Sequence, residues 1–352
     1  MTNPAPRYEV IKIGLDGGMS SASILYDRHL DRRVLHKNLA PGIEKARLLD
    51  EISALMKLRS KHVVQIFDIL KSNDEISGII EEFIDGPDVD EAKHLVHDTN
   101  SLLKTLWQIA SGISDIHNSG VIHRDIKPNN MKVDPEGIIK IFDFGLSRST
   151  EENKTVGYKG TFFFSAPELF NEGEHYFSKS IDTYAFGVTA LTLAGTTLAN
   201  YFTAPGIPLS PAAIENLPKD LPFELQGLIE KCLSEDPEQR PEMSEIRSTI
   251  EKYLLYNMHR ALLVFKGQTK YLDSSNPRVT LNITGTGKIS IDYDGINFLV
   301  SHASGEVKIN NGPVYVGDKI YGSKVISIGN SDRHYTQRAH VTFDVSHPEV
   351  VL

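Results

Sequence analysis

The chain has 352 residues, 40% hydrophobic and 24% charged, with 37 Lys and Arg against 46 Asp and Glu. That length exceeds one ordinary domain and can bury a sizeable core without disulfide or metal staples. The net charge of −9 argues against a sequence-independent nucleic-acid binder, and the single cysteine, Cys232, excludes a disulfide framework or Cys-rich zinc site and fits a reducing compartment.

The predicted elements begin with strands at Tyr8–Gly14, Ser23–Tyr26 and Arg33–Leu39. Residues 44–58 show helical periodicity, with Leu48, Ile52, Leu55 and Met56 on one face. Strands are predicted again at Val63–Leu70 and Ile76–Phe83, after which Gly86-Pro87 breaks the chain. A long helix is expected over 101–119, stopped by Gly120. A small sheet with one helix, followed by a mostly helical part, implies two lobes. Tyr184 to Leu198 is the longest apolar stretch, but it falls short of the ~18 apolar residues of a membrane helix and contains Gly187 and Gly195. It reads as a buried globular helix. The N-terminus lacks the apolar core of a secretory signal. The expectation is a cytoplasmic protein with no membrane span and no nucleic-acid partner.

After Arg260 the texture changes to Val/Ile/Thr/Tyr-rich runs separated by Asn311-Gly312, Asp294-Gly295 and Gly317-Asp318 turn signals. Residues 260–352 carry 10 Lys and Arg against 8 Asp and Glu, whereas residues 1–259 carry 27 against 38. The acidity therefore belongs to the first part. The tail predicts a small antiparallel sandwich or barrel. Its scattered His302, His334, His340 and His347 do not have the spacing of a metal site.

Residues 123–130 read His-Arg-Asp-Ile-Lys-Pro-Asn-Asn, residues 143–145 Asp-Phe-Gly, and residues 166–168 Ala-Pro-Glu. In that order and spacing they resemble the eukaryotic-like, bacterial Hanks-type, serine/threonine protein kinase family over about residues 8–258. The resemblance implies an α+β, two-lobed protein kinase fold, with an N-lobe over 8–86 and a C-lobe over 87–258. An all-β accessory domain over 265–352 would follow, for regulation or for binding a protein partner. The implied substrates are ATP, with Mg²⁺, and protein serine or threonine hydroxyls.

Phosphoryl transfer needs positioning and charge neutralisation more than covalent chemistry. By resemblance, Asp125 orients the substrate hydroxyl and accepts its proton, and Lys127 reaches the transferred phosphate. Asn130 and Asp143 are hard oxygen donors that suit Mg²⁺. Val34-Leu35-His36-Lys37 resembles the strand whose lysine holds the α- and β-phosphates. Glu51, on the first helix, is the expected partner of Lys37, with Glu44 the alternative. Gly14, Gly17, Gly18 and Ser20 resemble a glycine-rich phosphate loop. The loop departs from the family pattern by an extra residue between Gly14 and Gly17, by Ser20 in place of a third glycine, and by Ala22 for valine. In the segment between Asp143 and Glu168, Thr155 and then Thr150 are the expected phosphorylation sites, with Arg124 as the receptor. Thr161 is expected to contact Asp125 and Lys127. Asp182 resembles the helix residue that anchors the catalytic-loop backbone, and Arg240 resembles the buried partner of Glu168.

The nucleotide pocket departs further. Residues 79–86 align with the family's hinge, which places Glu82 at the cofactor and Glu81 behind the adenine, where an apolar residue or Thr is usual. Leu35 stands in place of Ala and Lys132 in place of Leu or Met. A buried carboxylate is costly without a partner, so Glu81 is expected to be paired or to reach solvent. These departures also raise a second reading, a pseudokinase scaffold that binds partners without phosphoryl transfer.

Overall fold

The computed structural model describes residues 7–13, 22–38, 43–72, 75–92, 95–144, 148–149, 154–155, 162–170, 175–265, 267–346 and 348–351. The chain divides into two units, the first ending at Ile250 and the second running from Glu251 to Val351. The second unit thus takes in the strand Ala261–Phe265, ahead of residue 265.

The first unit opens with an antiparallel sheet of β1 (Tyr8–Ile13), β2 (Ala22–Asp27), β3 (Arg32–Asn38), β4 (Ile66–Ser72) and β5 (Glu75–Glu82), in the order β1-β2-β3-β5-β4. Helix α1 (Ile43–Lys57) lies between β3 and β4 in sequence. Neighbouring residues of a strand face opposite sides of the sheet, and Ile79 and Ile80 illustrate this. Ile80 joins Leu25 and Val34 in one apolar cluster, while Ile79 joins Ile52 of α1 in another. Residue 81 shares the face of Ile79, so the period of two places Glu81 on the α1 side.

The predicted strand Val63–Leu70 is shorter at its start. Val64 N–H donates to Ile141 O at 3.0 Å and Ile141 N–H to His62 O at 2.9 Å. Residues 63 and 64 leave the sheet on this crossing, while Gln65 O still accepts from Glu82 N–H of β5 at 2.8 Å.

The helical part begins with α2 (Thr99–Asn118). Asp98 caps it by accepting from Ser101 N–H at 2.7 Å, while the Ser101 hydroxyl binds back to Asp98 N–H, a reciprocal cap. Gly120, at φ 73°, ends it in the left-handed region. Short pairs follow: β6 (Val121–Ile122) with β9 (Arg148–Ser149), β7 (Met131–Val133) with β8 (Ile139–Ile141), and β10 (Lys154–Thr155) with β11 (His175–Tyr176). Helix α3 (Ser180–Leu193) is buried from Ile181 to Leu191, as its apolar composition on every side requires. Helices α4 (Phe223–Cys232) and α5 (Met243–Leu254) complete the series. Among the described residues no helix is long and apolar enough to cross a membrane.

The second unit is all-β. One sheet runs β13-β12-β20-β19-β17, from β12 (Ala261–Phe265), β13 (Gln268–Leu272), β17 (Val307–Ile309), β19 (Lys324–Ile328) and β20 (Ala339–Val345). The other runs β14-β15-β16-β18, from β14 (Arg278–Ile283), β15 (Gly287–Tyr293), β16 (Phe298–Gly305) and β18 (Lys319–Ile320). Leu263, Val341 and Phe343 from the first sheet and Ile289, Ile291 and Val300 from the second share one core, which makes the unit a sandwich. The 309–312 hairpin turns on Asn310 and Asn311, both at positive φ, one residue earlier than the predicted Asn311-Gly312 turn. His302, His334 and His340 bind the hydroxyls of Ser304, Thr336 and Ser327 at 2.8–3.0 Å. Ile289 is fully buried. Ile289→Val is expected to cost about 0.5–1.5 kcal/mol, seen as an earlier urea midpoint for this unit while the midpoint of the first stays unchanged.

Candidate active site

Asp125 lies on the loop after β6. Its Oδ2 accepts from Lys127 Nζ at 2.8 Å and from Asn130 Nδ2 at 2.8 Å. Asn130 Nδ2 also reaches Asp125 O at 2.8 Å. The Asn130 amide is thereby oriented, with its nitrogen on Asp125 and its oxygen kept for another partner. Among the described residues no donor is seen on Asp125 Oδ1.

The loop's backbone hangs on Asp182, near the start of α3. Asp182 is 1% exposed and accepts from His123 N–H and Arg124 N–H, each at 2.8 Å, and its carboxylate lies 3.0 Å from His117 Nε2. Burial pushes its carboxyl up, but the His117 hydrogen bond and charge outweigh that and hold it below the usual carboxylate range. The anchorage explains how Arg124 keeps φ 71°, a left-handed conformation costing of order 1–3 kcal/mol in a residue with a side chain. The Arg124 guanidinium lies 3.5 Å from the Phe177 ring centroid.

Asp143 follows β8 and is exposed, also at positive φ, 64°. Both neighbours pin it. Phe142 N–H donates to Asn130 O at 3.0 Å, and Phe144, fully buried, donates its N–H to Glu51 Oε1 at 3.3 Å. The backbone thus ties Asp143 to Asn130 on one side and to α1 on the other.

Lys37 Nζ is 2.6 Å from Glu51 Oε1 and 3.0 Å from Glu81 Oε2. All three side chains are largely buried, at 12%, 6% and 1% exposure. Burial opposes the lysine charge, but Glu81 and Glu51 outweigh it and hold Lys37 protonated well above the usual lysine range. Glu81 is paired, as expected, although its Oε1 is buried with no hydrogen-bond partner. This contact was not read from the sequence, because the signal lies in strand register. Lys37 pairs with Ile79 and Leu35 with Glu81, which makes Lys37 and Glu81 diagonal neighbours on one face.

Around the hinge, the Glu82 side chain meets Lys140 at 2.7 Å and accepts from Gln65 N–H at 3.2 Å. Its carboxylate is committed and its N–H donates to Gln65 O at 2.8 Å, so a contact with a nucleotide would fall to its backbone carbonyl. Lys132 Nζ lies 2.6 Å from Asp88 and 3.3 Å from Gly86 O. Leu35 is half-buried on β3. Arg240 forks onto Glu168 at 2.7 and 2.8 Å, its side chain sealed from solvent. Gly14, Gly17, Gly18, Ser20, Thr150 and Thr161, and the side chains of Glu44 and Thr155, lie outside the described residues.

The structure therefore brings Asp125, Lys127 and Asn130 together, and separately joins Lys37 to Glu51, with the Asp143 segment tied to both groups. Sequence reasoning missed Glu81 as a Lys37 ligand, and also His117 and Phe177. His117 and Phe177 are 65 and 53 positions from their partners Asp182 and Arg124, with no motif marking them.

Residues 11–250 match the family model described as the protein kinase domain. The chain is 30% identical over 250 residues to a serine/threonine-protein kinase/receptor of Acanthamoeba polyphaga mimivirus, covering 68% of this chain and 15% of that protein. It is 33% identical over 158 residues to a serine/threonine/tyrosine-protein kinase of Arabidopsis thaliana, covering 44% and 40% of the two chains. It is 28% identical over 274 residues to a serine/threonine-protein kinase of Clostridium perfringens, covering 70% and 38%. In each case the match spans less than half of the relative's own length.

Proposed function

The chain belongs to the protein kinase family, and on that premise we propose that it transfers the terminal phosphate of ATP to serine and threonine hydroxyls of protein substrates. The observation that carries this reading is the Asp125 carboxylate, fixed by Lys127 and Asn130 on a loop anchored to α3. A general base must be held within hydrogen-bond reach of the proton it takes, and a carboxylate with one oxygen already satisfied suits that task. Lys127, already beside Asp125, can neutralise charge on the phosphate in flight. Lys37, kept protonated and steadied by Glu51, would hold the nucleotide's non-transferred phosphates.

The donor set also fits Mg²⁺. Asn130 has its amide nitrogen committed and its oxygen kept, and Asp143 is exposed with its backbone fixed, so two hard oxygens are on offer. Among the described residues no three His, Cys, Asp or Glu side chains cluster as a metal cage. One or two protein ligands supplemented by substrate phosphate is the ordinary arrangement for this ion. When bound, the ion supplies charge neutralisation at the phosphates.

The second unit is proposed as a module for regulation or protein-partner binding, supported by its own closed core and by exposed Tyr315, Tyr321 and Tyr335. The test of the main reading is transfer from γ-labelled ATP to the chain itself and to a generic Ser/Thr protein substrate. Incorporation at serine or threonine by the wild type, lost in Asp143→Ala, is expected. Equal signal from both proteins would favour the scaffold reading.

A further inference from the structure

Glu81 is a buried acid with one oxygen on Lys37 and the other, among the described residues, without a hydrogen-bond partner. Lys37 has three N–H donors. One points to Glu51 at 2.6 Å and one to Glu81 at 3.0 Å. Among the described residues, that leaves a single donor for a phosphate. The charges around Lys37 matter as much. One ammonium is set against two carboxylates, so the cluster is net negative before Asp143, also near enough to interact, is counted. In a poorly hydrated site such an imbalance is weakly screened. A polyanionic ligand must approach Lys37 against it.

We propose that Glu81 is a positioning residue that competes with nucleotide phosphate for Lys37, weakening nucleotide binding and holding the lysine in reserve between Glu51 and β5. The inference rests on the proposed role of Lys37 toward nucleotide. Glu51 and Glu81 are not equivalent in this competition. Glu51 also receives the Phe144 N–H and so links α1 to the Asp143 segment. Among the described residues Glu81 has no donor besides Lys37, and it is the carboxylate more readily given up. The ionisable groups facing it are Lys37 on β3, Glu51 on α1 and Asp143 beyond β8, while β4 presents Ile66 in register.

The same geometry gives the competition a pH dependence. Burial pushes the Glu81 carboxyl up, to about 7, with Lys37 limiting the rise and Glu51 adding to it. As pH falls from 8 to 6, Glu81 takes up a proton, the cluster loses one negative charge, and Lys37 is freed toward phosphate. The hold on Lys37 is therefore strongest on the alkaline side.

The experiment is calorimetric binding of MgADP to the full chain between pH 6 and 8, for wild type, Glu81→Gln and Glu81→Thr, with ATP-dependent steady-state kinetics alongside. Gln keeps the shape and removes the charge, and Thr is small enough to serve if Gln does not fold. At pH 8 either variant is expected to bind MgADP about three- to tenfold more tightly, a gain of about 0.7–1.4 kcal/mol. The KM for ATP should fall in parallel, with kcat little changed. The wild type should gain affinity toward pH 6 relative to the variants, so the profiles converge. Variants that bind MgADP no better at pH 8, or a wild-type profile parallel to theirs, would overturn the proposal. A purely structural role for Glu81 would lower stability without changing that pH difference. Loss of phosphoryl transfer in the wild type with MgADP binding intact would count against the kinase reading alone, because the binding arm still decides Glu81.

Discussion

Asp125→Asn is expected to lower phosphoryl transfer by about 10²–10⁴-fold while leaving nucleotide binding in place. Asn matches the shape and can still accept from Lys127, so the fold of the loop should persist. What it lacks is the basicity to take a hydroxyl proton. The loss should appear in kcat, with the KM for ATP nearly unchanged, because the interaction removed is one made mainly in the transition state. Single-turnover transfer from labelled ATP and calorimetric MgADP binding, measured on the same preparation, check both halves. Wild-type turnover in the variant would remove Asp125 from the chemistry. Asp125→Asn differs in kind from Asp143→Ala, which deletes a candidate ion ligand and should respond to Mg²⁺ concentration.

The second large effect is expected at Asp182. It touches no reacting group in this reading, yet three donors converge on its buried carboxylate. Asp182→Ala leaves two backbone N–H groups and His117 without their acceptor. The expected cost is about 3–5 kcal/mol, read as a lower urea midpoint of the first unit. Transfer should fall as well, since the left-handed backbone at Arg124 loses what holds it and Asp125 follows. Asp182→Asn keeps one acceptor oxygen but turns an NH₂ toward a donor, so an intermediate loss is expected. The pH dependence has a definite sign. The folded-state pKa of Asp182 is depressed, so its contribution is complete above the ordinary carboxylate range and lost as pH falls through the folded value. The gap between wild type and Asp182→Asn should therefore narrow in acid. A gap that widens there would refute the assignment.

Much of the first unit was legible because its signals are local. His123 to Asn130 lie within eight positions, so spacing alone put Asp125, Lys127 and Asn130 on one loop. The end of α2 at Gly120 was legible in the same way, whereas its Asp98 cap lies ahead of the start expected at residue 101. The apolar stretch from Tyr184 to Leu198 read as a buried helix, and α3 takes it up as far as Leu193. The β texture after Arg260 announced a sandwich or barrel, since period-two runs separated by turn residues admit few other solutions.

What stayed hidden depends on partners distant in the chain. Val63 and Val64 have strand composition but lie in a bridge to Ile141, and nothing in their own sequence indicates that. The turn at Asn310-Asn311 was misplaced by one residue because both asparagines tolerate positive φ and only the pairing of Ile309 with Gly312 selects them. The ion pair of Glu82 with Lys140, 58 positions away, is set by the fold in the same way.

The sequence by itself determined the family, the order of its motifs and the change to an all-β second unit, because short spacings and side-chain periodicity are properties of the chain before it folds. Only the tertiary structure decided that Glu81 shares Lys37 with Glu51, and that His117 joins the catalytic-loop backbone on the Asp182 carboxylate. Those contacts follow from strand register and helix apposition. A shift of one residue in β5 would have turned Glu81 to the opposite face of the sheet, with every local signal unchanged.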